Sequence, residues 1–388
     1  MKTKIKLFLF LALFGACQAW AQDAIRIIHG PYLQDVDEHQ AAVVWVTDRP
    51  GVAWLEWAPD DSTDFYLKAR PRVYDDVDGV KDIGQVHVVK LEGLKPGTRY
   101  RYRVYTQEVL SRRSNGYELI YGHVAASSAY RPYSFRTNDI SKPTVSFAMM
   151  NDIHERPAVL GRMMELSKPL QRDLVLFNGD MVSWVTSEQQ LFAGFMDTAA
   201  YVFAARVPMY YARGNHEPRR GFATHLHDYF SPTRPHLYYI FRQGPVCFVV
   251  LDSGEDKPDT DIEYSGIVDF DNYRTKEAQW LAEALKSKEF TEAPFKVVVC
   301  HMPPLHDWHG ENEVLTKFVP LLNQAGVDLM LAAHLHRHWK MAPTSEVHFP
   351  VLINSNNNVL TGDATAHKLS IQVTNQEGKE VDSLVINK

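Results

Sequence analysis

Three cysteines are too few to staple a chain of 388 residues. Cys247 lies in Val246-Cys247-Phe248-Val249 and Cys300 in Val298-Val299-Cys300, apolar settings in which a free thiol acts as a small hydrophobe. Disulfides therefore do not organise this fold. A basic excess is missing too. The 41 Lys and Arg stand against 47 Asp and Glu, a net charge of −6, so no nucleic acid held by phosphate neutralisation is expected. Hydrophobic runs are short. The longest, Ile5 to Phe14, falls below the roughly 20 residues of a spanning helix, and no transmembrane segment is expected. Repeats and low-complexity tracts are absent. What is present is an ordinary globular composition, 45% hydrophobic and 23% charged, sized for two or three domains at roughly 150 residues each.

The first residues read as an export signal. Lys2, Lys4 and Lys6 precede the apolar run, and Ala19-Trp20-Ala21 supplies a small-residue cleavage site, the order of a secretory signal peptide over residues 1–21. A periplasmic, secreted or cell-surface protein is expected. Phe14-Gly15-Ala16-Cys17 loosely resembles a lipoprotein box. Phe stands where Leu is usual, and the cleavage site follows four residues on, so lipid anchoring at Cys17 is the lesser alternative.

Residues 24–138 read as β. Runs at Ala41–Thr47, Val52–Trp57, His87–Leu91, Tyr100–Tyr105 and Tyr133–Arg136 are rich in β-branched and aromatic residues, with turns such as Arg49-Pro50-Gly51 between them. Tyr100-Arg101-Tyr102-Arg103-Val104 alternates as a strand with one wet face should. Leu94 to Tyr100 has the form of a tyrosine corner, where the hydroxyl ties down the turn. An all-β sandwich is expected. Asn138 to Lys142 reads as a short polar linker.

From 144 to 388 the pattern changes. Apolar runs at Val145–Met149, Asp173–Phe177, Val207–Tyr211, Val246–Leu251, Phe295–Val299 and Val327–Ala332 alternate with helical periodicities at Ala158–Ser167, Gln189–Ala205, Lys276–Leu285 and Val314–Gln324. Buried strands layered with helices are expected. The acidic, glycine-containing stretch Asp252 to Arg274 reads as a solvated loop, with a loop shaping the substrate entrance as the alternative. Two closing strands are expected around Gln376-Glu377-Gly378.

Five apolar runs each deliver polar groups to the loop that follows. They are Asn151-Asp152-Ile153-His154, Asn178-Gly179-Asp180, Gly214-Asn215-His216-Glu217, Cys300-His301 and His334-Leu335-His336. Ligand sites of α/β sheets form at the carboxyl ends of strands, so these groups are expected to converge. Carboxylate, amide and imidazole donors without thiolate suit Fe, Mn, Zn or Mg. Seven of them suit two ions about 3.5–4 Å apart with a bridging carboxylate.

These motifs, in this order, resemble the five motifs of the calcineurin-like metallophosphoesterases over roughly residues 144–362. The sandwich ahead of them, opening on Gly30-Pro31-Tyr32-Leu33-Gln34, resembles that of the purple acid phosphatases, a fibronectin type III-like domain. The resemblance implies a multidomain chain: an N-terminal all-β sandwich, then an α/β four-layer β-sandwich flanked by helices. It also implies a dinuclear centre of Fe, Mn or Zn. One ion would be held by Asp152, His154, Asp180 and His336, the other by Asp180, Asn215, His301 and His334. Asp180 would bridge and His216 would sit beside the substrate phosphate. Two departures stand out. Ser183 replaces the family's metal-binding Tyr of purple acid phosphatases and His154 is added, so the purple colour should be absent. Ala333 stands where Gly usually precedes the last His-x-His.

The implied activity is hydrolysis of a small phosphomonoester or phosphodiester, by in-line attack of a hydroxide generated between the metals. His216 is the candidate to protonate the leaving oxygen or stabilise the transition state. Arg213, Arg219 and Arg220 flank the Gly-Asn-His-Glu motif and suit phosphate oxygens, and His306 and His309, around Trp308, are further candidates to line the pocket. The alternatives are a surface binding or adhesion protein with a dead metal site, and an extracytoplasmic nucleotidase or nuclease. The sequence leaves oligomeric state, metal identities and natural substrate open.

Overall fold

A computed structural model of the chain describes residues 23–113 and 118–388. The signal-peptide reading, including Cys17, lies outside the described residues. Among the described residues no helix is long and apolar enough to cross a membrane.

The N-terminal unit is a seven-stranded β assembly. Its central strand, Ala41–Pro59, runs on through Arg49-Pro50-Gly51, where the sequence suggests a turn. Its first half pairs antiparallel with Ile27–Gln34 and Gly84–Leu91. After a register shift its second half pairs with Arg99–Arg112 and the short Arg72–Tyr74. One strand thus serves both faces of the sandwich, and the shift supplies the bend that a turn would otherwise provide. Leu33, Val43, Trp45, Ala53, Leu55, Val89, Tyr102 and Phe135 fill the interior. The tyrosine corner is present: Tyr100 is buried, and its hydroxyl accepts the Lys95 N–H at 2.9 Å.

The second unit has four layers. Thr144–Met150, Leu174–Asn178 and Met209–Ala212 run parallel in one six-stranded sheet, completed by Asn358–Thr365, Lys368–Asn375 and Glu380–Asn387. The last two are the expected closing hairpin. Val246–Val250, Phe295–Val299 and Leu329–Ala332 run parallel in the other sheet. Strand side chains alternate faces. Val145, Phe147 and Met149 therefore join Phe248, Val297 and Leu331 between the sheets, whereas Ala148 and Met150 pack outward on Leu160 and Met163 of the helix Pro157–Ser167. Val249, Val298 and Met330 do the same against Leu281, Phe318 and Leu322. Cys247 and Cys300 are free thiols in that third core. Tyr210 and Tyr211 are core residues, as expected.

The linker is no free tether. Asn138 is buried and donates to the Tyr210 hydroxyl at 2.8 Å, and Tyr210 in turn donates to Val36 O at 2.8 Å. The Gly-Pro-Tyr-Leu-Gln segment docks the units together. Tyr32 donates to Tyr229 O at 3.2 Å, Gln34 Oε1 accepts from Ser231 N at 3.0 Å, and Asp35 takes the Arg234 guanidinium at 2.7 Å. Tyr32, Val44 and Val46 enter the apolar core of the second unit. The acidic stretch also departs from expectation. Asp252, Ser253 and Glu255 are buried, and the helix Phe270–Ala284 begins six residues ahead of the periodic segment, with Arg274 fully enclosed.

His87 carries a pH dependence. It is buried beside Trp45 with Nε2 2.8 Å from the Thr47 hydroxyl, and burial pushes its pKa down to about 4. The unfolded imidazole titrates near 6.5, so its stabilising contribution is full above that value and is lost as pH falls through 6.5 toward 4, by about 3 kcal/mol at most. The difference in unfolding free energy between pH 7.5 and 4.5, measured in urea, should shrink by about 2 kcal/mol in His87→Gln; an unchanged difference would refute the assignment.

Candidate metal centre

Every parallel strand of both sheets that the motifs follow ends at one edge of the molecule. Asp152 lies just past Thr144–Met150, Asp180 past Leu174–Asn178, Asn215 past Met209–Ala212, His301 past Phe295–Val299, and His334 and His336 past Leu329–Ala332. The turns that place these side chains are unusual. Asp152, His154, Glu155, Asp180, His334 and His336 all adopt φ between 45° and 70°, a region that L-residues visit rarely and at a cost of about 1–3 kcal/mol each. The first two loops are laced together: Asp152 N donates to Gly179 O at 2.9 Å, His154 N to Asp180 O at 3.1 Å and Glu155 N to Met181 O at 3.2 Å. Two glycines permit the approach. A Cβ on Gly214 would stand 2.2 Å from Asp180 Oδ1, and one on Gly179 2.5 Å from His301 Nδ1. Ala333 does no harm, because His334, not Ala333, takes the left-handed conformation.

The donors gather around Asp180. Donor atoms of Asp152, His154, Asp180 and His336 lie within 4.8 Å of one another, and so do those of Asp180, His301 and His334. Asp180 belongs to both groups. His301 Nε2 stands 3.1 Å from Asp180 Oδ2 and His336 Nε2 3.3 Å from Asp152 Oδ1. His154 Nε2 and His336 Nε2 are 3.1 Å apart. The Asn215 amide oxygen lies 2.9 Å from His334 Nδ1, and with the amide turned over its nitrogen reaches Asp180 Oδ2 and His301 Nε2, each at 3.2 Å. Asp152, Asp180, Asn215 and His301 are enclosed; His336 is 46% exposed and His216 28%. The pocket therefore opens on the His154, His216 and His336 side.

Imidazole orientation is set by backbone carbonyls. His301 Nδ1–H donates to Asn178 O at 2.7 Å and His216 Nδ1–H to Ser183 O at 2.8 Å, turning each Nε2 inward; for His301 this is the orientation in which a cation would replace the Nε2 proton. Ser183, in the tyrosine position, has its hydroxyl 3.4 Å from His154 Nδ1 and donates to Glu155 at 2.7 Å. Burial and the neighbouring His301 hold the His334 pKa down near about 4. Burial alone would lift Asp180, yet His301, His216 and His154 outweigh it and hold that carboxyl far below the usual range. Burial likewise opposes charge on His301, and contact with Asp180 overrides it, to about 10.

Does this set fit metal ions? Asp152 Oδ1 is buried and makes no hydrogen bond of good geometry, its close imidazole nitrogen being His336 Nε2 at 3.3 Å. A buried carboxylate oxygen in that state is costly unless a cation or donor meets it. The inward Asn215 oxygen faces only acceptors. Carboxylate, amide-oxygen and imidazole donors converging on one enclosed pocket fit divalent cations.

Two further carboxylates complete the centre, Glu217 from the Gly-Asn-His-Glu motif and Glu311 from outside the motifs. Glu217 is fully buried and accepts the N–H groups of Asp180, Met181 and Gly214 at 3.0, 2.7 and 3.0 Å; it orients backbone and no imidazole. Burial, then repulsion from Asp180, raises its pKa to about 7. Glu311 is buried 3.9 Å from His334 Nε2, with the facing oxygen otherwise unpartnered. Glu217 closes the Gly-Asn-His-Glu motif, and the imidazoles are oriented by backbone carbonyls instead of by it. Glu311 lies in an unremarked Glu-Asn-Glu helix start, and nothing local marks it.

The arginines and outer histidines separate. Arg213 is held in a buried ion pair with Asp252 at 2.8 Å, between Phe270 and Tyr273, and braces the fold where a substrate contact was expected. His306 pairs with Glu346 at 3.0 Å on the exposed surface, and His309 with Asp271 at 2.7 Å. Glu346 and Asp271, neither of them among the candidate ligands, take their polar contacts. Asp271, His309 and Glu313 also cluster, but Arg274 and Lys317 already occupy those carboxylates. Arg219 stays close: Nη1 is 3.3 Å from the His216 ring while Glu255 and Asp256 hold the rest of the guanidinium. Arg220 is exposed over Trp184.

The profile of the calcineurin-like phosphoesterase family matches residues 145–338, half of the chain. The chain belongs to the calcineurin-like phosphoesterase family. That of the purple acid phosphatase N-terminal domain matches residues 31–137. The chain is similar to purple acid phosphatase 21 of Arabidopsis thaliana, 26% identical over 281 residues, which are 67% of this chain and 54% of that protein. It thus spans about half the length of this curated relative. A purple acid phosphatase from yellow lupin (Lupinus luteus) seeds shares the fold, with a TM-score of 0.61 and 13% identity over 92% of this chain and 74% of that one. The two-part architecture and the family resemblance read from the motifs are those of this phosphoesterase family.

Replacing Glu217 with Gln would turn an amide NH₂ toward backbone N–H groups that need an acceptor. Urea unfolding should show a loss of about 2–3 kcal/mol; unchanged stability would show that these three hydrogen bonds do not hold the loops.

Proposed function

We propose that the chain is an exported, two-metal phosphoric ester hydrolase. The observation that carries the reading is Asp180, a buried carboxylate common to two donor groups, the first of which also holds the buried Asp152 carboxylate. Asp152, His154, Asp180 and His336 would hold one ion, and Asp180, Asn215, His301 and His334 the other. Fe, Mn or Zn suit these donors. Export rests on the N-terminal Lys-rich, apolar and Ala-x-Ala succession.

Two bound cations supply the acidity that makes a water nucleophilic near neutral pH and neutralise phosphoryl oxygens. The chain contributes position and protons. Gly179 and Gly214 let three loops close on Asp180, so that the donors are fixed before substrate arrives. His216, its Nδ1–H committed to Ser183 O, presents Nε2 to the pocket 3.8 Å from Asp180 Oδ2. It is placed to hydrogen-bond the phosphate and, when protonated, to deliver a proton to the leaving oxygen. Arg219 backs that ring and is kept in place by Glu255 and Asp256.

Hydrolysis of an aryl phosphate should require added divalent metal and fall at least 10³-fold in Asp180→Ala or Asn215→Ala. In His216→Ala, kcat should fall by roughly 10²-fold, the size of one general acid, with bound metal unchanged by elemental analysis. Full activity in chelator-treated protein or in either ligand variant would refute the reading.

A further inference from the structure

Seven tryptophans lie among the described residues, and three are markedly exposed: Trp184 at 45%, Trp308 at 45% and Trp339 at 40%. All three belong to the phosphoesterase unit, and all three follow a candidate ligand closely. Trp184 comes four residues after Asp180, Trp308 seven after His301 and Trp339 three after His336. Each carries a cation against its ring: Arg220 at 5.6 Å, Lys257 at 6.0 Å and Arg337 at 5.4 Å. The other four, Trp45, Trp54, Trp57 and Trp280, are buried or partly buried away from these loops. A single exposed aromatic needs no explanation. Three, each cation-paired and each close in sequence to a candidate ligand, Trp184 and Trp308 ahead of their helices and Trp339 at the start of the strand Trp339–Met341, form a pattern.

Trp184 is the best anchored. The preceding residue, Ser183, accepts the His216 N–H at 2.8 Å and touches His154 at 3.4 Å. Its partner Arg220 follows Arg219, which backs His216. Trp184 and Arg220 thus each adjoin a residue in contact with His216, the side chain placed against the leaving oxygen. An indole offers a flat apolar face at little conformational cost, and stacking tolerates any planar ring.

We propose that Trp184, with Arg220, forms an aromatic rim that selects phosphate esters whose alcohol carries a planar aromatic ring. The proposal rests on the phosphoesterase reading and names its substrate class. An ester without a ring would reach the same metals and leave the rim unused.

A matched pair of probes isolates the ring: a nucleoside 5′-monophosphate and ribose 5-phosphate share the leaving alkoxide and differ in the base. With metal supplied, kcat/KM for the nucleotide should exceed that for ribose 5-phosphate by roughly tenfold or more, the worth of one stacked ring. In Trp184→Ala this ratio should collapse toward one through a rise in nucleotide KM, and Trp184→Phe should restore most of it. Quenching of tryptophan fluorescence by the nucleotide, with none by ribose 5-phosphate, should weaken in the Ala variant. Equal kcat/KM for the two esters in the wild type, or an unchanged ratio in Trp184→Ala, overturns the rim and leaves the phosphoesterase reading standing. Hydrolysis of neither probe nor of an aryl phosphate overturns both.

Discussion

The structure turns on a single buried carboxylate. Asp180 is enclosed, accepts the His216 N–H at 2.9 Å, and has its own N–H held by Glu217. Around it stand a second enclosed carboxylate and imidazoles packed ring against ring, His154 with His216 and His336 at centroid distances of 4.9 and 5.0 Å. Desolvating anionic and lone-pair donors together is unfavourable unless positive charge sits among them. The fold answers with parallel strands whose loops point one way, left-handed turns that aim the side chains inward, and two glycines without which the loops would collide.

That concentration explains features far from the pocket. Glu217 adds a further buried acid under the loops, and its N–H contacts fix three of them relative to each other. The buried stretch after Val246–Val250 supplies Asp252 for Arg213 and Glu255 with Asp256 for Arg219. Arginine charge next to the centre is thereby directed and partly neutralised. The sandwich is part of the same body: its opening segment and the Asn138 corner insert polar and apolar side chains into the second unit's core.

Much of this was legible from sequence for a physical reason. Buried parallel strands are continuous apolar runs, and a site at their carboxyl ends puts the chemistry in the next two or three residues, so Asp152, Asp180, Asn215, His301 and His336 announce themselves. Tyr100 does the same through its corner. The rest depends on tertiary pairing that a linear pattern does not carry. Arg213 looks like a phosphate ligand until Asp252 is seen to claim it, and Asp252 looks solvated because an acidic stretch without periodicity reads as loop. The strand Ala41–Pro59 hides its continuity behind Arg-Pro-Gly, a turn signal that here marks a bend. Glu311 is invisible because its importance comes from His334, 23 positions on.

The central claim is that two ions share Asp180, and spin coupling tests it most directly. Protein loaded with Mn(II) and examined by low-temperature electron paramagnetic resonance should show an exchange-coupled pair, replaced by uncoupled Mn(II) in Asp180→Ala. Isolated six-line Mn(II) signals in the saturated wild-type protein would contradict a shared carboxylate and, with it, the account of this pocket.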